Sequence, residues 1–386
     1  MNAMEMYARL SEAVTLTTET AVVRVSATYQ PAGGPGSKIY PPTYPPPARG
    51  QSEPSPYVVE KRVVGGVQRE DVLLDQVPSQ ANRAEEALLR ARRAGLIALP
   101  LLELHHHGAA PIVLSSLQFP HRYADAYLRD SLVDGVPFDR SDLGLSMLAA
   151  SQSDANALFA HDPGSLVFGA WNSHRKGRQQ KFPRVYASEV IGWDPVEGAR
   201  KAGRMDPVNL VGAAKPTAQG WEYAAAGEKV KGEKLSEIGH GNIAPQSSHG
   251  GVTITSASRM ATLSLAGLDR LGFGDASPAA AVAARTVLAA YALLADRLAF
   301  SGPSLWLRSG CELVLESEQL EWVLRGGATE SFDLPTATAI DLFALAVERA
   351  ADAGLPMSTD TVTLSPTVAL AKAIDFSLTK AESTED

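Results

Sequence analysis

SLVFGAWNSHRKGRQQKFPRVYASEVIGW, residues 165–193, sets two strand-like runs on either side of a basic centre. The runs 165–173 and 184–193 carry Val, Ile and aromatic residues interleaved with small or polar ones, the pattern of half-buried strands. They read as paired strands around a basic linker. Two strands alone make only a marginal sheet, and the sequence on both sides offers more. ETAVVRVSATY (19–29) reads as a strand. YVVEKRVV (57–64) and VQREDVLLDQV (67–77) read as a hairpin turning on Gly65-Gly66. The second half of LIALPLLELHHH (96–107) is strand-like. GVTITS (251–256), LWLRS (305–309) and CELVLES (311–317) add strands downstream. Helical patterns fall between them: 80–94 behind an N-cap at Ser79 and ending at Gly95, then 119–133, 139–149, 153–160, 257–271, 278–300, 336–353 and 366–380. Strands and helices mix without the strict alternation of a doubly wound sheet, so the expected class is α+β, a sheet with large insertions.

Two segments interrupt this order. Residues 30–56 contain nine prolines and exclude a helix or a central strand; they read as a long loop that orders against a partner. Residues 194–250 lose apolar periodicity and read as an irregular insertion. The most apolar stretch, 279–300, is broken by Arg285, Asp296 and Arg297, which predicts a buried helix rather than a membrane span. The N-terminal MNAMEMYARLSEAV shows no secretion signal. A lone cysteine, Cys311, forbids an internal disulfide and a cysteine-rich zinc site, making the cytoplasm the expected location. With 35 basic and 43 acidic residues the net charge is −8, so no whole-chain field attracts nucleic acid. A nucleic-acid reader of this composition must gather its cations locally.

The linker does so. Arg175, Lys176, Arg178, Lys181 and Arg184 lie in a run without an acidic residue, with Trp171 and Phe182 near its ends and Asn172, Ser173 and His174 between. Cations neutralise phosphates and flat rings stack on unpaired bases, so the mixture suits single-stranded nucleic acid; a solvated basic loop has the same composition. Gln80, Asn82 and Arg83 in SQANRAEE (79–86) sit where a helix N-terminus could grip phosphate, or simply cap a helix in which Arg83 pairs with Glu86. In FPHRYADAYLRDS (119–131), Asp125 and Arg129 suit an i,i+4 ion pair, leaving His121 and Arg122 for phosphate or base. His240 and Asn242, beside glycines in KLSEIGHGNIAP (234–245), read as a contact loop or an ordinary surface turn. On a strand, Glu103, His105 and His107 would share one face, a set known to hold iron or zinc. Ligands in a row along one strand splay apart, however, so no metal or other cofactor is expected.

The blocks SQANRAEE (79–86), SSLQFPHRYADAYLRDS (115–131), FGAWNSHRKGRQQKFPRVYASEVIGWDP (168–195), RMDP (204–207), SEIGHGN (236–242) and GGVTITSASRMATLSL (250–265) follow one another in an order that resembles the RAMP-superfamily (Cas-seven group) backbone subunit of type I-G, formerly I-U, CRISPR effector complexes. The likeness runs from about Ser79 to Leu271. It implies one modified RRM-like (ferredoxin-like) palm over 1–386, with 30–56 and 194–250 as insertions. It also implies several copies stacked side by side along a CRISPR RNA whose exposed bases pair with target DNA, so that base pairing reads sequence while protein reads backbone and shape. Such a subunit is not the nuclease; a separate helicase-nuclease is recruited by the complex, alongside other Cascade subunits, and no membrane is involved. The likeness makes Arg175–Arg184, Asn82, Arg83, His121 and Arg122 expected guide contacts. The alternative is a metal-dependent ribonuclease or hydrolase built on Glu103, His105 and His107.

Overall fold

Eight strands in one antiparallel sheet organise the chain in a computed structural model that describes residues 1–15, 17–45, 55–108, 111–173, 180–225 and 232–384, side chains at 245–249 and 379–384 excepted. Helix α1 (Ala3–Ala13) leads into β1 (Thr20–Pro31), followed by the hairpin β2 (Val59–Val64) and β3 (Val67–Asp75) and helix α2 (Val77–Arg93). Much later come β4 (Tyr186–Trp193), β5 (Ser256–Ser264), helix α3 (Pro278–Phe300), β6 (Ser304–Arg308), β7 (Cys311–Leu324), β8 (Thr329–Phe332) and helix α4 (Thr336–Asp352). The sheet order is β6-β7-β1-β5-β4-β3-β2, with β8 on β7. The first strand of the chain thus lies between β7 and β5, with β6, the strand that follows α3, at the sheet edge beyond β7.

Alternation fixes the register. Val23, Val25, Ala27 and Tyr29 of β1 are buried on one face, opposite Leu263 and Ala261 of β5 and Leu320 and Trp322 of β7. A one-residue slip would turn this whole set to water. Helices α2 and α3 cover that face, and α1 and α4 close over α3. The other face is polar and largely self-neutralised: Arg24 pairs with Glu321, Arg62 with Asp71 and Glu189, and Arg69 with Asp194. Helix α3 is long and apolar enough to cross a membrane, yet nearly three-quarters of its apolar window is buried inside the protein.

The expected hairpin 57–77 and the helices near 139–149, 153–160, 278–300 and 336–353 all stand, and Cys311 is buried. Several expectations do not. Residues 257–264 are not helix but β5. Its inward residues are Ala257, Arg259, Ala261 and Leu263, and an arginine on the buried side disguised a period of two. Residues 163–167 form a short helix instead of a strand. Pro163 opens it and the Asp162 carboxylate accepts from the Ser165 amide and hydroxyl. The partner of Ala170–Asn172 is therefore not β4 but Gln180–Phe182, a separate small hairpin.

The helix expected over 119–133 breaks into two single turns and a strand, Ser131–Val133. Asp125 explains the break: its carboxylate accepts from the backbone amides of His121 and Tyr127, ending one turn and capping the next. Arg129 pairs with its neighbour Asp130 instead of Asp125. Helix α2 starts earlier than expected, at an extended Gln76 with proline in its first turn, and the Ser79 hydroxyl donates to Asp75 rather than capping. The 194–250 region is not irregular. Val196–Arg204 pairs with Ile243–Thr253 as a two-stranded arm, and Ala213–Thr217, Gly220–Ala224 and Glu233–Lys234 form a small sheet. The described part of the proline-rich segment orders against its own chain, with Ile39 buried and bridged to Val252 and the Tyr40 amide donating to Gly310. A five-stranded second sheet includes Leu101–His106 and Thr361–Pro366, the latter strand unread in the sequence.

Candidate functional site

Gly169 sets the geometry of the basic hairpin. Its φ of +84° is left-handed, and a Cβ there would come within 2.9 Å of the Arg184 amide nitrogen, so only glycine lets the chain turn from the 163–167 helix against residues 182–184. Beyond the turn, Trp171 lies opposite Lys181 in the ladder, with the ammonium 5.8 Å from the indole centroid. Trp171 is 59% exposed, an unusual position for the largest apolar side chain. Lys181 and Arg184 are exposed, and neither takes part in an ion pair among the described residues.

These three side chains line a cleft of about 700 Å³ together with His121, Arg122, Phe168 and Pro120. A second cleft of about 620 Å³, holding Asn82, Arg83, Arg90, Phe119 and Trp306, shares Pro120 with it. Pro120 thus borders both clefts. Five sequence-expected residues from two separate segments (His121 and Arg122 in one, Trp171, Lys181 and Arg184 in the other) therefore meet in one place, with Asn82 and Arg83 next door. Asn172 follows Trp171 in the same strand, half-buried. His174, Arg175, Lys176 and Arg178, also expected at the site, lie outside the described residues.

Two of the assembled arginines are occupied. Arg122 donates bidentately to Glu85 at 2.6 and 2.9 Å and to the Gly169 carbonyl at 2.8 Å, its guanidinium lying 5.5 Å from the Phe168 ring centroid. These bonds hold its backbone at a left-handed φ of +52°, a conformation that costs a non-glycine residue roughly 1–2 kcal/mol. Arg122 thus ties α2 to the root of the hairpin. Arg83 donates to Asp75 and to the carbonyls of Trp306 and Leu307, so it anchors an edge strand and does not pair with Glu86. His121 and Asn82 remain exposed in the clefts.

Glu85 is the support that sequence reading missed, because an acidic residue in the first turns of a helix looks like dipole compensation. It is fully buried, and burial pushes its carboxyl up to about 7 against the opposing pull of Arg122. An acid whose folded pKa lies above its unfolded value binds a proton on folding between the two, so its contribution to stability falls as pH rises from about 4.5 to about 7. Thermal melts across that window are expected to show this slope in the wild type and to lose it in Glu85→Gln. An unchanged slope would assign the proton to another group.

The remaining expected residues lie elsewhere. His240 and Asn242 sit at the arm. The Asn242 carboxamide accepts from the Asp206 amide and contacts Asn209, and the His240 ring lies 5.7 Å from that of Trp221. Glu103 and His105 are in contact at 3.3 Å, but the rings of His105 and His107 are 6.2 Å apart, and no group of three metal-ligating side chains converges among the described residues. His106, the residue between them, points to the opposite face and bonds Asp375 at 2.7 Å.

Fold and cleft define an α+β protein with one antiparallel sheet, two helices across its buried face, and a cation-lined cleft bearing an exposed tryptophan. Residues 23–196, just under half of the chain, match the family described as CRISPR-associated protein GSU0053. No curated protein matches the sequence. Among solved structures it is similar to the crystal structure of Thermofilum pendens Csc2, with 10% identity over 88% of this chain and 74% of that one; the TM-score is 0.25, at which the likeness carries no argument.

Proposed function

We propose that the protein is a CRISPR-RNA-binding backbone subunit that repeats along the guide of a type I Cascade complex. The observation that carries this reading is the cleft where Trp171, Lys181, Arg184 and His121 converge: cations for phosphates and a ring for an unpaired base, in a chain whose net charge is −8. The CRISPR-associated family match agrees with it. The RRM-like palm is supported by topology. In chain order, β1, then β4 and β5, then β7 lie as fourth-first-third-second across the sheet, with α2 and α3 as the two crossovers; this is the split βαβ arrangement of a ferredoxin-like fold. On this reading the whole chain 1–386 is one such unit. The β2–β3 hairpin, the second sheet and the 194–250 arm are its additions.

Copies of the subunit lie side by side on the guide with other Cascade subunits. The guide pairs with target DNA in the cytoplasm, and a helicase-nuclease recruited by the complex does the cutting. The subunit itself is a non-catalytic holder. Protein purified from cells that also carry a CRISPR array is expected to bring down repeat-derived RNA of uniform length. Protein that arrives free of nucleic acid and fails to take up guide would overturn the proposal. With complementary RNA and a divalent metal, the RNA is expected to stay intact; cleavage abolished by His105→Ala would overturn the non-catalytic assignment.

A further inference from the structure

Trp306 sits in β6, an edge strand, where Leu305 and Leu307 turn inward and it turns out. It is 62% exposed, as open as Trp171. A lone exposed tryptophan on an edge strand is an invitation to aggregate, which natural sheets usually avoid. This one is not lone. It borders the cleft containing Asn82 and Arg90, which shares Pro120 with the cleft of Trp171, Lys181 and Arg184. Its backbone is also held: Arg83, anchored on the buried Asp75, donates to the Trp306 carbonyl at 3.3 Å and the Leu307 carbonyl at 2.7 Å. A rigid backbone under a free indole is what a stacking platform requires.

We propose that Trp306 is a second base-stacking platform, so that one protomer holds two unpaired bases of a single RNA strand, at Trp171 and at Trp306, with the strand passing over Pro120. The proposal rests on the RNA-binding reading above and adds a subsite to it. Arg83 is a positioning residue here, and Asn82 supplies the polar flank beside Arg90 and Glu86, a pair 4.0 Å apart along α2. The cleft's polar lining favours a nucleotide over a protein partner, since protein interface cores are depleted of charge.

Binding of the full-length protein to fluorescently labelled single-stranded oligouridylate, measured against salt, tests it. Trp306→Ala is expected to weaken binding by roughly 5- to 150-fold, the effect of losing one stacked base, without changing the salt slope. Trp306→Phe should restore most of the affinity, which a merely structural role would not explain, and melting temperatures should match the wild type because the side chain is exposed. If Trp171→Ala weakens binding while Trp306→Ala does not, the second platform is refuted and the RNA-binding reading stands. If the wild type shows no salt-dependent binding, both fall. If Trp306→Ala changes only self-association in sedimentation, the surface belongs to protein contact and the proposal is overturned.

Discussion

Asp296→Ala is expected to destabilise the protein by about 3–5 kcal/mol, the cost of removing one partner from a fully buried ion pair. Arg259 projects from β5 into the space between sheet and helices and is completely buried. Its guanidinium meets the Asp296 carboxylate from α3, the Tyr186 hydroxyl at 2.9 Å and the Ser188 hydroxyl at 3.0 Å, while the Tyr186 hydroxyl donates to Asp296 at 2.5 Å. Arg297 contacts the same carboxylate and reaches Glu318 of β7. Burial would raise the Asp296 carboxyl, but the two guanidinium groups outweigh it and hold it at about 2. Alanine leaves Arg259 charged, buried and unpaired. Because the folded pKa is depressed, the stabilisation is present at neutral pH and fades as pH falls below the ordinary aspartate range toward 2. Urea midpoints at pH 7 check the size of the effect. A loss under 1 kcal/mol would mean that water reaches the pair. Arg259→Met combined with Asp296→Leu should recover part of the loss, since no buried charge is then left without a counter-charge: Arg297 keeps Glu318.

That network also explains where sequence reading succeeded and failed. The strand 19–29 was legible from its alternation, the hairpin 57–75 from two strand-like runs about Gly65-Gly66, and helix α3 from its long apolar stretch. β5 was not, because its inward positions read Ala, Arg, Ala, Leu, and nothing local says that the arginine will find Asp296 thirty-seven positions later. The same holds at the cleft. Trp171, Lys181 and Arg184 were visible as a cluster in one run. Arg122 looked like a free cation, because its partner Glu85 lies thirty-seven residues away in another helix and each half of the pair has a bland local reading. Trp306 showed no signal beyond its outward place in the alternation of LWLRS. Long-range pairing decides which charges are spent on the fold, and only the remainder are available to a ligand.

Among the expected cations, Arg83 and Arg122 belong to the spent set, and Lys181 and Arg184 do not. The largest binding effect should therefore follow from the hairpin. Alanine at Arg175, Lys176, Arg178, Lys181 and Arg184 together is expected to weaken single-stranded RNA binding by ~10²–10³-fold near 0.15 M salt. Each phosphate contact contributes about 0.7 to the slope of log K against log salt, so five contacts contribute roughly 3.5. At 0.15 M that slope corresponds to about three orders of magnitude relative to 1 M salt, the upper bound if every cation touches a phosphate. The variant's slope should flatten by the same amount, and at 1 M salt the two proteins should bind alike. Trp171→Ala should behave in the opposite way, lowering affinity by about 1–3 kcal/mol at every salt concentration with the slope unchanged. Charge and stacking are thus separable in one titration series. A five-alanine variant whose slope equals the wild type's would show that these cations never meet phosphate, and the cleft would lose its claim to the guide.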